Sequence, residues 1–192
     1  IRVADPVYNR ERICDGIREA YEAGARILVF PELCLTGYTC GDLFLQESLL
    51  HAAGEQLQEI LCFTKGYHAL IFVGLPVEKD GKLYNAAAVM AEGRLLAMIP
   101  KRNIPAYGEF YEARHFTPGN KEAEPFNWRG EEVPFGTDIL FQAEEMEGLT
   151  VGCEICEDLW AADTPATGHA LAGASVLVNL SASDETIGKD AY

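Results

Sequence analysis

The sequence predicts an α/β protein with a mixed sheet, one face of which packs against a second sheet. The first observation is that segments with helical periodicity alternate with short β-prone runs at both ends of the 192-residue chain. The second is that three β-prone runs in the middle are separated by turn sequences, which is typical of an antiparallel meander. The predicted helices can cover only part of this meander. The other face of its sheet is therefore expected to pack against a second sheet.

The first half of the chain contains two predicted helices and four predicted strands. Apolar residues recur at helical spacing over 9–23, and Gly24 follows as a stop signal. The continuous apolar character of the run 26–30 predicts a strand that is buried on both faces. The remaining elements are a helix over 46–64 and strands over 69–75, 83–90 and 94–100, with hairpin turns at 79–82 and 91–93.

The second half of the chain is predicted to be less regular. Residues 101–119 form a long loop that is rich in aromatic and charged side chains, and such loops in compact domains are often functional. Residues 121–147 are acidic and are predicted to be irregular, most simply a solvated face, apart from a strand over 138–142. The last predicted elements are a strand over 149–155, a helix over 165–173 and a buried strand over 175–180.

Charge and cysteine content narrow the class of protein. The chain has 15 basic and 30 acidic residues, which gives a formal net charge of −15. Such a charge opposes binding to nucleic acids and anionic membranes, and no apolar run approaches the ~20 residues that span a bilayer. The six cysteines could form three disulfides, but a chain of this size and apolar content favours free thiols in a reducing cytoplasm.

The two ends of the sequence predict a fragment of a longer protein. The chain begins with Ile1 rather than Met, and its first residues lack the charged and apolar regions of a signal peptide. It ends at Tyr192 without a stop pattern.

Three predicted strands lead directly into reactive side chains, which are Glu32, Lys101 and Cys156. Ligands in α/β sheets bind beyond the carboxyl ends of strands, so these three groups are predicted to meet. A carboxylate can accept the proton of a thiol and later return it to a leaving amine. An ammonium can stabilise a tetrahedral oxyanion. The three groups together predict amide hydrolysis through a thioester. A Cys–His catalytic pair is less attractive because the chain has only four histidines, although one of them, His115, lies in the long loop.

Structural readings of the same residues stay open at this point. Cys156 could be a small buried core residue, as many free cysteines are, and Lys101 beside Arg102 could be a solvated basic pair. Cys153 and Cys156 form a C-x-x-C pattern, which occurs in zinc and redox sites. A structural zinc site needs two further ligands, and Cys153 lies inside a predicted strand, so Cys153 is assigned to the core.

Several segments of the sequence resemble known signatures. FPELCLTGY at 30–38, KRNIP at 101–105 and EICEDLW at 154–160 are similar to the three signature segments of the nitrilase, or carbon–nitrogen hydrolase, superfamily. GDLF at 41–44 and NLSAS at 179–183 resemble the glutaminase domain of glutamine-dependent NAD synthetases. The resemblance implies a four-layer α-β-β-α sandwich of the nitrilase type, apparently incomplete because such domains are normally longer.

The resemblance also implies roles for individual residues. Glu32 would be the general base, Lys101 the oxyanion-stabilising residue and Cys156 the nucleophile. The superfamily often has a second glutamate beside the lysine, for which Glu112 matches best and Glu109 is the alternative.

The same resemblance implies a glutamine pocket. Glu157 would bind the ammonium of a free amino acid, and Ser183 its carboxylate or amide. The positions that would line this pocket are Tyr38, Tyr107, Glu157, Trp160 and Ser183.

The function that the resemblance implies is hydrolysis of glutamine to glutamate and ammonia. In the whole enzyme the ammonia would amidate deamido-NAD to NAD. No cofactor or metal is expected in this domain, because ATP, Mg and deamido-NAD would bind at a C-terminal synthetase domain that this chain lacks. That domain and further copies of the chain are the expected partners. The alternatives are another carbon–nitrogen hydrolase, such as an amidase or carbamoylase, a catalytically silent interaction module and, more remotely, a zinc-binding module.

Overall fold

The structure is a computed structural model that describes residues 1–184 and 186–189. Its helices are α1 (Pro6–Glu22), α2 (Glu47–Phe63) and α3 (Pro165–Leu171). Its strands are β1 (Ile27–Val29), β2 (Leu70–Lys79), β3 (Lys82–Ala91), β4 (Arg94–Pro100), β5 (Glu124–Trp128), β6 (Glu131–Phe135), β7 (Leu140–Gln142), β8 (Thr150–Ile155) and β9 (Val176–Leu180). Short 3-10 helices cover Gly41–Leu45, Glu112–Arg114 and Cys156–Trp160.

The larger sheet has the strand order β1-β2-β3-β4-β6-β5. Strands β2, β3 and β4 form the predicted antiparallel meander. Its two turns place Asp80–Gly81 and Glu92–Gly93 at positive φ, which matches the predicted hairpins. β1 pairs in parallel with β2 at one edge, and the antiparallel pair β5–β6 completes the other edge.

The smaller sheet has the order β7-β8-β9, with β7 antiparallel and β9 parallel to β8. Its inner face packs on the larger sheet through a shared apolar cluster, to which both sheets contribute buried side chains. Those of the larger sheet are Phe72, Ala87, Val89, Ala97 and Ile99, and those of the smaller sheet are Val151, Cys153, Ile155, Val178 and Leu180.

Helices cover the two outer faces. α1 and α2 pack on the larger sheet through Ile13, Ile17, Leu57 and Ile60, and α3 packs against β8. The order of layers is therefore helix, sheet, sheet, helix. This arrangement confirms the predicted α-β-β-α sandwich. One apolar cluster lies between the first two helices and the larger sheet, and a second lies between the two sheets.

Two predictions about the strands are wrong in detail. β1 is not buried on both faces, because it is an edge strand and Val29 is 41% exposed. The segment 121–147 is not irregular, because it contains the β5–β6 hairpin. In β6, buried Val133 and Phe135 alternate with exposed residues, which is a strand pattern that the many acidic residues and prolines obscured.

The state of the cysteines and the length of the helices agree with what the composition predicts. All six cysteines are free, which confirms the expected absence of disulfides. Among the helices of the described residues, none has the length and apolar character to cross a bilayer.

Candidate active site

Glu32 lies in a tight turn that follows β1. The next residue, Leu33, has a φ of 49°, and its backbone packs directly on β2. A side chain at Gly74 of β2 would lie 2.4 Å from the Leu33 nitrogen and 2.5 Å from the Pro31 oxygen, so only glycine permits this approach. The turn buries the Glu32 carboxylate. Burial and the charge of the neighbouring Glu112 raise the pKa of this carboxylate.

Lys101 directly follows β4, and its side chain is fully buried. The Lys101 Nζ donates to Glu32 Oε1 at 2.7 Å and to Glu112 Oε1 at 2.6 Å. Burial alone would lower the pKa of Lys101, but the two carboxylates outweigh it and raise the pKa above its ordinary value. The ammonium is therefore held in its charged form between two buried acids.

Glu112 belongs to the short 3-10 helix inside the long loop, and its side chain is 5% exposed. Its Oε1 also accepts a hydrogen bond of 2.8 Å from the Tyr38 hydroxyl. Burial and the Glu112 carboxylate raise the pKa of Tyr38, so the hydroxyl stays protonated as a donor. The other glutamate considered from the sequence, Glu109, is exposed.

The two oxygens of Glu32 have different partners. Oε1 accepts from the Lys101 Nζ and, at 2.7 Å, from the Asn85 side-chain nitrogen. Oε2 accepts from the backbone N–H of Ala182 at 3.2 Å. Ala182 lies just beyond β9, next to Ser183, whose Oγ is 3.8 Å from the Cys156 sulfur.

Cys156 begins the 3-10 helix that follows β8, and its φ is 46°. A non-glycine residue rarely adopts this conformation, which costs about 1–3 kcal/mol and is concentrated at functional sites. Burial and the Glu32 charge raise the pKa of the Cys156 thiol, and Lys101 acts in the opposite direction. The thiol is therefore mostly protonated at neutral pH and needs a base to become a nucleophile.

Asp158 connects the turn of Cys156 to the segment that follows Lys101. Its buried carboxylate accepts from the Ile155 N–H at 3.1 Å, from the Asn103 N–H at 2.7 Å and from the Asn103 amide at 2.9 Å. The Arg102 N–H donates to the same carboxylate at 3.2 Å. The Asp158 side chain thus holds the backbone that precedes Cys156 in place relative to the backbone that follows Lys101.

A second polar pair supports the carbonyl side of the Cys156 turn. The Asn179 amide donates to the Cys156 oxygen and to Glu154 Oε1, both at 3.3 Å. Glu154 Oε2 accepts from the Ala166 N–H at the start of α3 at 3.0 Å. These contacts and those of Asp158 hold the peptide groups on both sides of the strained residue.

Tyr107, Glu157, Trp160 and Ser183 form a largely exposed rim, in which Glu157 is half-buried. The Tyr107 hydroxyl donates to both carboxylate oxygens of Glu157 at 2.9 Å. Tyr107 is 58% exposed, Trp160 is 65% exposed, and Ser183 is also exposed. Tyr38 differs, because its hydroxyl is bound to Glu112 within the buried cluster.

The described residues offer no cluster of three or more His, Cys, Asp or Glu side chains placed to bind a metal ion. Cys153 is buried in β8 within the cluster between the sheets, where its thiol has a raised pKa because of burial. The C-x-x-C spacing therefore reflects one core cysteine and one cysteine at a strand end.

A family model described as Carbon-nitrogen hydrolase matches residues 1–191. The chain belongs to the carbon–nitrogen hydrolase family. This family assignment agrees with the nitrilase-type layers described above. A crystal structure of an amidase from Nesterenkonia sp. shares this fold, with a TM-score of 0.70 and 22% identity over 98% of this chain and 64% of that one.

Other members of the carbon–nitrogen hydrolase family are more similar in sequence. Glutamine-dependent NAD(+) synthetase of Mycobacterium bovis is 40% identical over 187 residues, and that of Thermotoga maritima is 32% identical over 182 residues. The crystal structure of a glutamine-dependent NAD(+) synthetase from Cytophaga hutchinsonii aligns with a TM-score of 0.85 and 32% identity, over 98% of this chain and 30% of that one. The matches cover 97% and 94% of this chain but only 28% of each curated relative.

The sequence did not predict the residues that hydrogen-bond to the reactive groups or to the backbone beside them. Asn85, Asp158 and the pair Glu154–Asn179 were not selected, although each is polar and lies within or next to an apolar strand. A polar residue in such a run must find a hydrogen-bond partner, which is the signal that could have found them.

Proposed function

We propose that this chain is the glutamine-hydrolysing part of a glutamine-dependent NAD synthetase. The observation that carries the proposal is the buried Lys101 ammonium held between Glu32 and Glu112, with the strained Cys156 beside it. The names of the relatives supply the substrate, because glutamine-dependent synthetases match almost the whole chain.

The first half of the proposed reaction forms a thioester. Glu32 accepts the proton of the Cys156 thiol, and the sulfur attacks the side-chain amide carbon of glutamine. The tetrahedral oxyanion is stabilised by the Lys101 ammonium. The carbon–nitrogen bond then breaks, and Glu32 returns the proton to the nitrogen, which leaves as ammonia. Glu112 binds the second side of the ammonium and keeps it directed at the site.

The second half of the reaction is hydrolysis of the thioester. Glu32 accepts a proton from water, whose oxygen attacks the thioester carbon, and Lys101 again stabilises the oxyanion. The carbon–sulfur bond breaks, the thiol regains its proton from Glu32, and glutamate leaves. Protons and electron pairs balance over the cycle without an added oxidant or reductant.

The exposed rim is proposed to select free glutamine. Glu157 carries a negative charge suited to the α-ammonium of an amino acid, and the Tyr107 hydroxyl orients this carboxylate. Ser183, next to the Cys156 sulfur, would hold the substrate amide or carboxylate. Trp160 and the ring of Tyr38 would line the remaining sides of the pocket.

The ammonia is proposed to serve the amidation of deamido-NAD to NAD by a synthetase domain of the same enzyme. ATP, Mg and deamido-NAD would bind to that domain, so we assign no residue of this chain to them. We further propose that the enzyme acts in the cytoplasm as a homo-oligomer.

The proposal is tested on the full-length protein with Cys156→Ala. Glutamine-dependent NAD synthesis should be lost, whereas synthesis from added ammonia should survive, because only the ammonia source is removed. Cys62→Ala is the matched control, since Cys62 is an exposed thiol on α2, and both activities should persist in it. Loss of both activities in Cys156→Ala would contradict the proposal. Turnover of simple amides or N-carbamoyl amino acids in preference to glutamine would favour an amidase or carbamoylase instead.

A further inference from the structure

Asn85 lies on β3, is fully buried and touches both carboxylates of the cluster. Its side-chain nitrogen donates to Glu32 Oε1 at 2.7 Å and to Glu112 Oε2 at 3.2 Å. Its backbone oxygen accepts from the N–H of Lys101 at 2.7 Å. Apart from Lys101, Asn85 is the one side chain in the described part of the protein that bonds to both acids.

The orientation of the Asn85 amide follows from these partners. Both nearby groups are acceptors, so the nitrogen must face them, and the reversed amide would place oxygen against two carboxylates. The Oδ1 atom on the other side accepts no hydrogen bond from any described residue. A buried acceptor without a partner is unfavourable, so the amide is held by its two donor contacts and not by its oxygen.

The charge balance of the cluster explains what the two donor contacts of Asn85 do. One ammonium faces two buried carboxylates, so the three charged groups of the site carry an excess negative charge. A neutral donor that touches both acids stabilises this excess without adding a second cation. Asn85 is also the second donor to Oε1 of Glu32, beside Lys101. Among the described residues, Oε2 of Glu32 has only the 3.2 Å contact with the Ala182 N–H.

We propose that Asn85 is a positioning residue that makes Oε2 of Glu32 the proton-accepting oxygen and keeps this carboxylate ionised. The inference rests on the proposed function, because it assigns an atom to the base of that reaction. The Oε2 side is the productive one, since Ala182 and Ser183 are neighbours in the chain and Ser183 contacts the Cys156 sulfur.

Four ionisable groups of the described part of the chain face Glu32, and they set the direction of the expected effect. They are Lys101 from the end of β4, Glu112 from the long loop, Cys156 from the end of β8 and Tyr38 from the turn after Glu32. The Asn85 hydrogen bond and Lys101 lower the pKa of Glu32, against burial and Glu112. Replacing the donor by an acceptor must therefore raise the pH at which Glu32 loses its proton.

The test is Asn85→Asp in the full-length protein, with alkylation of Cys156 by iodoacetamide followed across pH by mass spectrometry of its peptide. This variant keeps the shape of the side chain and replaces the donor by an acceptor. The lower step of the pH profile, at which Glu32 ionises, should move up by about one unit, so the rate at the wild-type midpoint falls roughly fivefold. In glutamine hydrolysis, kcat should fall more than KM changes.

The matched control is Asn9→Asp. Asn9 is also a buried asparagine, but its side chain bonds to the backbone of Arg2 and Leu35. This control should lose stability and leave the lower step where it is. Alkylation needs no substrate, so the step remains measurable even if the wild-type protein does not hydrolyse glutamine, a result that would refute the proposed function alone.

An unchanged lower step in a folded Asn85→Asp protein would overturn the inference. If that variant does not fold, Asn85→Ser and Asn85→Ala are measured, and both should shift the step in the same direction by a smaller amount. An unchanged step in these variants, or failure of both to fold, would show that Asn85 is structural and would also overturn the inference.

Discussion

The buried cluster around Lys101 and the exposed rim around Glu157 differ in how their polar groups are satisfied. In the cluster, each carboxylate has donors within 3.2 Å from at least two residues, and Lys101 is fully buried. In the rim, Tyr107 is the one hydrogen-bond donor to Glu157 among residues 1–184 and 186–189, and Trp160 is 65% exposed. The carboxylates of the first region are already paired within the protein, whereas the second region has polar groups that a substrate can engage.

This difference separates chemistry from recognition. Changes in the cluster should lower the rate of the chemical steps, because they remove charges that act on the reacting atoms. Changes in the rim should weaken substrate binding and leave the reactivity of the thiol intact. The predictions below test this division from the largest expected effect to the smallest.

Glu32→Gln should lower the rate of glutamine hydrolysis by about 10²–10⁴-fold, because the base is removed while the shape is kept. Since burial and the Glu32 charge raise the pKa of Cys156, loss of that charge should move thiol titration to lower pH. Alkylation against pH should therefore show one step, below the upper step of the wild-type protein. Two unchanged steps would contradict a coupling between the two groups.

Lys101→Met should lower hydrolysis by about 10²–10³-fold, because the oxyanion loses its cation. It should also reduce the free energy of unfolding by about 3–5 kcal/mol at neutral pH, since two buried carboxylates are left unpaired. Part of this loss should be recovered at acidic pH, because the raised pKa of Glu32 lets this buried carboxylate accept a proton there. Urea unfolding at both pH values measures it, and equal losses would contradict a buried ion pair.

Asp158→Ala should affect stability and rate together, because it releases the backbone of Ile155 and Asn103 on two separate segments. The buried N–H of Ile155 and the partly buried N–H groups of Arg102 and Asn103 then lack this acceptor, at about 1–3 kcal/mol for each one that water does not reach. Thermal unfolding and hydrolysis rates measure the two effects. Full activity in a destabilised variant would show that Asp158 does not fix the distance between thiol and ammonium.

Glu157→Gln should have the smallest effect on chemistry. KM for glutamine should rise by roughly tenfold or more, since a hydrogen bond to a charged group is lost, and kcat should change little. Alkylation of Cys156 by a neutral reagent should be unchanged. Tyr107→Phe is the milder companion variant, with a rise of a few fold. A fall in kcat with unchanged KM would show that Glu157 acts in the chemical steps and not in substrate binding.

The comparison also explains how much the sequence could predict. The mixed sheet, its packing on a second sheet and the strand ends that carry Glu32, Lys101 and Cys156 follow from apolar periodicity, which is a local signal. The full α-β-β-α order was implied by the family resemblance. The β5–β6 hairpin was missed because glutamates and one proline interrupt the apolar residues in each of its two short strands.

The supporting contacts depend on tertiary structure and have no local signal. Asn85 meets Glu32 across 53 residues, and the Ala182 N–H meets it across 150. No pattern of spacing within the sequence predicts such contacts. The close approach of Gly74 to the Glu32 turn is equally invisible until β1 and β2 are paired.

The central claim is that the Cys156 sulfur forms a covalent bond with the substrate carbonyl. Rapid acid quenching of the full-length protein during turnover of glutamine, followed by peptide mass spectrometry, tests it directly. We expect a glutamyl adduct on the peptide that contains Cys156, and no adduct on the same peptide of Cys156→Ala. Release of ammonia at the normal rate without any adduct on Cys156, or with the adduct on another cysteine, would contradict the account.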